Sequence, residues 1–178
     1  MKILLIRHGE SEGNVIHQIN DDPLRIINLT ARGRAQAEAA SATLSRMPFT
    51  HAYVSEFPRA RQTAEILLRH HACLPTIDAR INERRSGMDG LPVEEFNDLV
   101  RSDPLRIKPE RGESFLDLME RVRSFLDEAA ARHPEGKVLA VSHENPIVAA
   151  LALTVDDPEQ MVRGTIANCE WVELDWQA

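Results

Sequence analysis

The sequence predicts an α/β fold, a three-layer sandwich in which a mostly parallel sheet carries helices on both faces. Three observations lead there. Short apolar runs alternate with stretches of helical periodicity, the rhythm of parallel strands joined by crossover helices. The runs Ile3–Ile6 and Val138–Val141 are apolar without a break, as strands buried on both faces are. Thr30, Pro48 and Pro58 punctuate the helical stretches where helices begin and end.

Each element follows in turn. Ile3-Leu4-Leu5-Ile6 is the first strand. Thr30 caps a helix that runs through an alanine-rich stretch to about Arg46, where Pro48 ends it. Ala52-Tyr53-Val54-Ser55 is the second strand, and Pro58 opens a helix with Ala60, Thr63, Ala64, Leu67 and Leu68 at helical spacing. Thr76-Ile77-Asp78 is a weaker strand. From Asn82 to Gly112 the rhythm breaks, with Gly87, Gly90, Pro92, Pro104 and Pro109 around a helical patch near Val93–Val100. This reads as a small inserted, substrate-side segment.

Phe115, Leu118, Met119, Val122, Phe125, Leu126, Ala129 and Ala130 then form one apolar stripe of a helix packed on the sheet. Val138–Ser142 is the next strand, and Pro146 starts a shorter helix through Leu153. Cys169–Leu174 is a final edge strand. The whole of 1–178 is expected to be one domain.

Composition excludes several classes. With 43% hydrophobic and 28% charged residues the chain is an ordinary globular protein. Its formal net charge of −7 argues against nucleic acid and against a basic membrane face. Ile3–Ile6 is too short for a signal-peptide core, and no segment approaches a membrane span. Cys73 and Cys169 make no disulfide framework and no metal pair. A cytoplasmic protein is expected, with no bound metal and no cofactor.

The chemistry gathers at strand ends. The first strand runs into Arg7-His8-Gly9-Glu10-Ser11. Arg59 lies in the first turn of the helix after the second strand, and His143 directly follows Ser142. Open α/β sheets bind ligands at the carboxyl ends of their strands, so these residues belong on one rim. Gly9 permits a tight turn close to a ligand. Arginines offer donor forks matched to phosphate oxygens.

With these motifs the sequence resembles the histidine phosphatase superfamily, the phosphoglycerate-mutase-like proteins. The matching stretches are Leu5–Ser11 with Asn14, Ser55 through Arg59-Ala60 and Gln62-Thr63-Ala64, and Ser142-His143. Supporting matches are Leu29-Thr30 with Gly33 and Gln36-Ala37, Glu83 with Gly87, and Gly112-Glu113-Ser114. The resemblance implies that His8 is phosphorylated, that Arg7, Arg59 and His143 hold the phosphoryl group, and that Asn14 contacts it. It also makes Glu83 the proton donor. On spacing alone Glu83 reads as the partner of Arg84 or Arg85 in a surface salt bridge.

Those residue types suit the reaction. A neutral imidazole attacks phosphorus and forms an intermediate that water can open. Neighbouring cations disfavour the protonated form of His8 and stabilise charge on the transferring group. A carboxylic acid supplies the proton that a leaving alkoxide needs. Amides at the helix starts behind Pro58 and Pro146 add further donors.

Two departures mark this chain. Glu144-Asn145-Pro146 stands where the family often has a glycine after its second histidine, and Gly87-Met88-Asp89-Gly90 is one residue short of the common version. Glu144 repels substrate unless it turns away, is protonated, or donates the proton itself. The leading expectation is a phosphomonoesterase acting on a small-molecule phosphomonoester. The alternative is a phosphoglycerate mutase, disfavoured because the chain leaves little room for capping insertions. A phosphate-binding module without turnover is a third reading, disfavoured because pure binding needs no nucleophile. His17, His51, His70, His71 and His133 are expected to lie outside the site.

Overall fold

Alternate side chains of a strand point to opposite faces, and in this protein both faces are covered. The computed structural model describes all 178 residues. Its strands are β1 (Lys2–Arg7), β2 (His51–Val54), β3 (Pro75–Ile77), β4 (Lys137–Ser142) and β5 (Trp171–Asp175). They form one sheet in the order β3-β2-β4-β1-β5. The first four are parallel to their neighbours, and β5 runs antiparallel against β1. The expected mostly parallel sheet with a final edge strand is what forms.

The helices are α1 (Glu12–Val15), α2 (Ala31–Leu44), α3 (Pro58–Leu67), α4 (Val93–Val100), α5 (Phe115–Arg132) and α6 (Glu144–Ala152). Ile3, Leu5, Tyr53, Val138 and Ala140 point to the α5–α6 layer, where they meet Phe115, Leu118, Phe125 and Ile147. Leu4, Ile6, Ala52, Val54, Leu139 and Val141 point to the α2–α3 layer and meet Ala37, Leu44, Ala60 and Leu67. Each large side chain of the α5 stripe contributes about 1.5–3 kcal/mol by leaving water. No helix is long and apolar enough to cross a membrane.

Several boundaries differ from expectation for local reasons. Helix α2 begins as expected, with Thr30 Oγ1 accepting the Gly33 N–H at 2.9 Å, but it ends at Leu44. Helix α6 starts at Glu144, two residues before Pro146, because His143 is already the extended N-cap residue. Pro146 therefore lies inside the first turn and offers no amide donor. β5 starts at Trp171, since Cys169 sits in the left-handed region at φ 58°. The weak third strand covers 75–77 instead of 76–78.

Gly9 also meets a packing requirement that the sequence did not reveal. A Cβ there would lie 2.4 Å from the Gly33 carbonyl oxygen, and one at Gly33 would lie 2.0 Å from the Glu10 carbonyl. The two glycines let the end of β1 pack directly on the start of α2.

The inserted segment carries α4 and is fastened by Glu113. This almost fully buried carboxylate pairs with Arg121 at 2.5 Å and Arg85 at 3.2 Å and accepts the Arg85 N–H at 3.0 Å. Burial alone would raise its pKa, but those cations and amides hold it below the ordinary value. At the opposite end of the sheet His51 stacks on His133, 3.5 Å between ring centroids, and Tyr53 hydrogen-bonds His133 at 2.9 Å. His51 thus has a partner that the sequence did not reveal, remote from the strand ends discussed next.

Candidate active site

Register decides which residues meet. Arg7 lies opposite Ser142 and Val54 opposite Val141, so the carboxyl ends of β1, β4 and β2 fall side by side. His8, His143 and Ser55 each follow directly. Arg59 enters from the first turn of α3, where Pro58 occupies the first helical position. His8 and His143 are 2% and 0% exposed, with ring centroids 5.0 Å apart.

Hydrogen bonds assign the proton on His8. Its Nδ1 donates to the Gly9 carbonyl at 2.7 Å, which leaves a lone pair on Nε2. That nitrogen accepts the Nε–H of Arg59 at 3.0 Å. Burial, then the charges of Arg59 and Arg7, push the His8 pKa well below its ordinary value against a smaller opposing effect of the Gly9 carbonyl. His143 is lowered in the same way, by burial and then by Arg59, His8 and Arg7. Both rings are held neutral.

Arg59 is the hub. Its Nη1 donates to Asn20 Oδ1, and its Nη2 donates to the Asn20 carbonyl at 3.1 Å and to His143 Nδ1 at 3.2 Å. The guanidinium also lies 4.4 Å from the centre of the Phe57 ring. Burial lowers its pKa to about 10, so it stays a cation at neutral pH.

On the same wall sits Glu83. Its Oε1 accepts the Arg84 amide at 2.8 Å, and the Asn145 side chain is a further partner. Burial raises its pKa despite these donors and the nearby Arg59 and Arg7. The surface salt bridge is not formed. Arg85 pairs with Glu113, while the Arg84 guanidinium covers Phe96 and Phe115.

The residues 3–178 match the family model of the histidine phosphatase superfamily, branch 1. The chain belongs to that superfamily. It is 30% identical over 192 aligned residues to a protein of Escherichia fergusonii named "Probable phosphoglycerate mutase GpmB", covering 99% of this chain and 86% of the relative. Among solved structures, a mycobacterial glucosyl-3-phosphoglycerate phosphatase in complex with VO3 superposes with TM-score 0.86, at 25% identity over 98% of this chain and 90% of that one. Bacillus stearothermophilus YhfR superposes with TM-score 0.88, at 24% identity over 99% of this chain and 91% of that one. The superfamily works through a phosphohistidine intermediate.

In this histidine phosphatase all the residues singled out from the sequence border one cavity of about 580 Å³ except His143, which is fully buried beside His8. Arg7 reaches it from the end of β1. Its Nη1 lies 3.0 Å from Glu144 Oε2 and also donates to the Ile166 carbonyl, while its Nε is buried without a partner. Glu144 thus turns onto Arg7, and its Oε1 accepts the Ile166 N–H at 3.2 Å. Asn14 accepts the Ser11 N–H and hydroxyl with Oδ1, both at 3.0 Å. That contact caps α1, and Asn14 borders the cavity.

Sequence reasoning missed Asn20, which lies in an Asn-Asp-Asp-Pro turn without a helical or strand pattern to mark it. Asp89 fixes it, with Oδ1 accepting from Asn20 Nδ2 at 3.3 Å and from the Asp21 amide at 2.9 Å. The shortened Gly87–Gly90 stretch therefore reaches Arg59 through Asn20. Asn168 was also missed; it donates to the His8 carbonyl at 3.0 Å. The inserted segment walls the cavity with Val93, Phe96 and Val100.

Proposed function

We propose that this histidine phosphatase is a phosphomonoesterase that hydrolyses a small phosphorylated metabolite through phosphohistidine at His8. One arrangement carries the reading. A buried neutral His8, with its lone pair on Nε2, accepts from Arg59 and feels the charge of Arg7, on the same cavity as a carboxyl group of raised pKa.

The steps follow from those atoms. His8 Nε2 attacks phosphorus, and the bond from phosphorus to the ester oxygen breaks. Arg7, Arg59 and His143 hold the three equatorial oxygens, where charge spreads in the transition state, and the Asn14 amide adds a donor. Glu83 gives its proton to the departing alkoxide and becomes a carboxylate. It then takes a proton from an incoming water as that water attacks phosphorus. The P–N bond breaks, His8 recovers its lone pair, and inorganic phosphate leaves.

Fixed arginine charge takes the part that metal ions play in other phosphoryl transfers, so the reaction is expected to need neither metal nor cofactor. The net charge of −7 disfavours nucleic acid as substrate. The two unpaired cysteines fit a reducing cytoplasm.

A mutase is the second reading, favoured by the names of its curated relatives. The names of the structural neighbours favour hydrolysis. A screen of phosphomonoesters with the purified protein, with and without 2,3-bisphosphoglycerate, separates them. Phosphate release faster than isomerisation supports the phosphatase. Isomerisation of 3-phosphoglycerate faster than any hydrolysis replaces it with the mutase.

A further inference from the structure

His143 has a second neighbour on the side away from the cavity. Ser55, the first residue after β2, is wholly buried. Its Oγ lies 2.7 Å from His143 Nε2 and 2.9 Å from Asn82 Oδ1, and it also accepts the Phe57 N–H at 3.3 Å. One hydroxyl proton must serve two possible acceptors, and which one receives it decides where the imidazole keeps its own proton.

The orientation of Asn82 settles the matter. Its Nδ2 donates to the Glu56 carboxylate at 2.6 Å, and its Oδ1 accepts the Glu56 N–H at 2.9 Å. A flipped amide would set oxygen against carboxylate and N–H against N–H. Oδ1 is therefore the atom that faces Ser55, and it can only accept. The hydroxyl donates to Asn82, and its oxygen is left to accept from His143 Nε2. From the other side Arg59 Nη2, which has only hydrogens to offer, points at His143 Nδ1 from 3.2 Å. Both sides require the same tautomer.

We infer that Asn82 is a positioning residue which, through Ser55, fixes His143 with its proton on Nε2 and aims a basic Nδ1 at the phosphoryl position. The inference rests on the proposed function for its consequence. A neutral Nδ1 cannot donate to a phosphoryl oxygen, so His143 must take up a proton as the anion arrives. The charged and titratable groups around His143 are Arg59 from α3, His8 and Arg7 from the end of β1, and Arg121 from α5. Adjoining it, Glu144 is turned onto Arg7. The cations oppose protonation until an anion offsets them. Asn82 thereby couples anion binding to proton uptake.

The test reads the tautomer directly, by ¹⁵N NMR of histidine-labelled protein. Wild type should show His143 protonated at Nε2 and bare at Nδ1. In Asn82→Leu the Ser55 hydroxyl has lost its acceptor and turns to Nε2, so the Nε2–H form should no longer dominate. Asn82→Asp, made together with Glu56→Gln so that no carboxylate faces it, keeps an acceptor oxygen and should restore it. Calorimetry in buffers of different ionisation enthalpy, with tungstate as a non-titrating probe, should show proton uptake in wild type and in that Asp variant, reduced in Asn82→Leu. If Asn82→Leu does not fold, Asn82→Val serves, since its smaller side chain also offers the Ser55 hydroxyl no acceptor, and it too should lose the pure Nε2–H signal.

Persistence of the Nε2–H form in Asn82→Leu, or its absence in the Asp variant, overturns the inference. A tautomer that follows Asn82 in a protein that forms no phosphoenzyme supports the inference and removes the proposed function. A wild type that labels at His8 while the tautomer ignores Asn82 removes the inference alone.

Discussion

Arg59 donates its Nε–H to His8 Nε2 across 3.0 Å. One guanidinium thus touches the lone pair of the proposed nucleophile and also reaches His143 with Nη2. A cation at that nitrogen opposes its protonation, and it stands where phosphoryl oxygens must arrive. In the proposed mechanism, nucleophile activation and phosphoryl binding share one side chain.

The pH dependence of the labelling step follows. Burial, then Arg59, lowers the His8 pKa below the ordinary 6.5, so the neutral nucleophile persists to lower pH. The acid limb of phosphoenzyme formation should therefore lie below pH 6.5. Arg59→Gln removes the cation, and its slower labelling should have a limb moved upward. A limb that stays put in Arg59→Gln contradicts the electrostatic account.

Rapid quenching with labelled substrate should trap an acid-labile, base-stable phosphoenzyme. His8→Ala should abolish it, and His143→Ala should retain a weakened labelling step because a donor and not the nucleophile is lost. Full turnover by His8→Ala would exclude the role assigned to His8.

Glu83→Gln should separate leaving groups. Alkyl phosphates need a proton on the departing oxygen, so their hydrolysis should slow by roughly 10²–10⁴-fold. Loss on p-nitrophenyl phosphate should be far smaller. Glu144→Gln should lack this dependence, since Glu144 is held by Arg7 and the Ile166 amide. The reverse pattern reassigns the acid to Glu144.

Activity should survive exhaustive chelation, because Arg7 and Arg59 supply the positive charge. A loss on chelation that one divalent cation restores would show that these side chains do not suffice.

Glu113→Ala should destabilise the protein by about 3 kcal/mol, the lower end for removing one partner of a buried pair. Arg121 keeps the carbonyls of Arg80 and Asn82 at 2.7 and 3.0 Å, which limits the loss. Chemical denaturation measures it. An unchanged midpoint would mean that the inserted segment is held by its apolar contacts alone.

Much of this was legible in one dimension. Strand and helix periods reflect burial directly, so Ile3–Ile6, Val138–Val141 and the α5 stripe mark the sheet and one covering layer. The residues at strand ends are legible for a related reason. Parallel strands share a direction, so whatever follows each of them reaches the same rim, and Arg7, His8, Arg59 and His143 needed no knowledge of strand order. Boundaries set by backbone conformation were less readable: nothing in the residue type of Cys169 announces a φ of 58°.

The sequence by itself determined the layered fold, the rim and the charged and nucleophilic groups that occupy it. Only the tertiary structure decided what those groups do to one another. Whether Glu144 faces substrate or Arg7, whether Glu83 binds a neighbouring arginine or stays a raised-pKa acid, and which nitrogen of His143 holds the proton all depend on partners far away in the chain. Ile166, Asn145 and Asn82 are those partners, and no periodic signal pairs them with the groups they hold. A hydrogen bond depends on distance and direction in space, and separation along the chain carries neither.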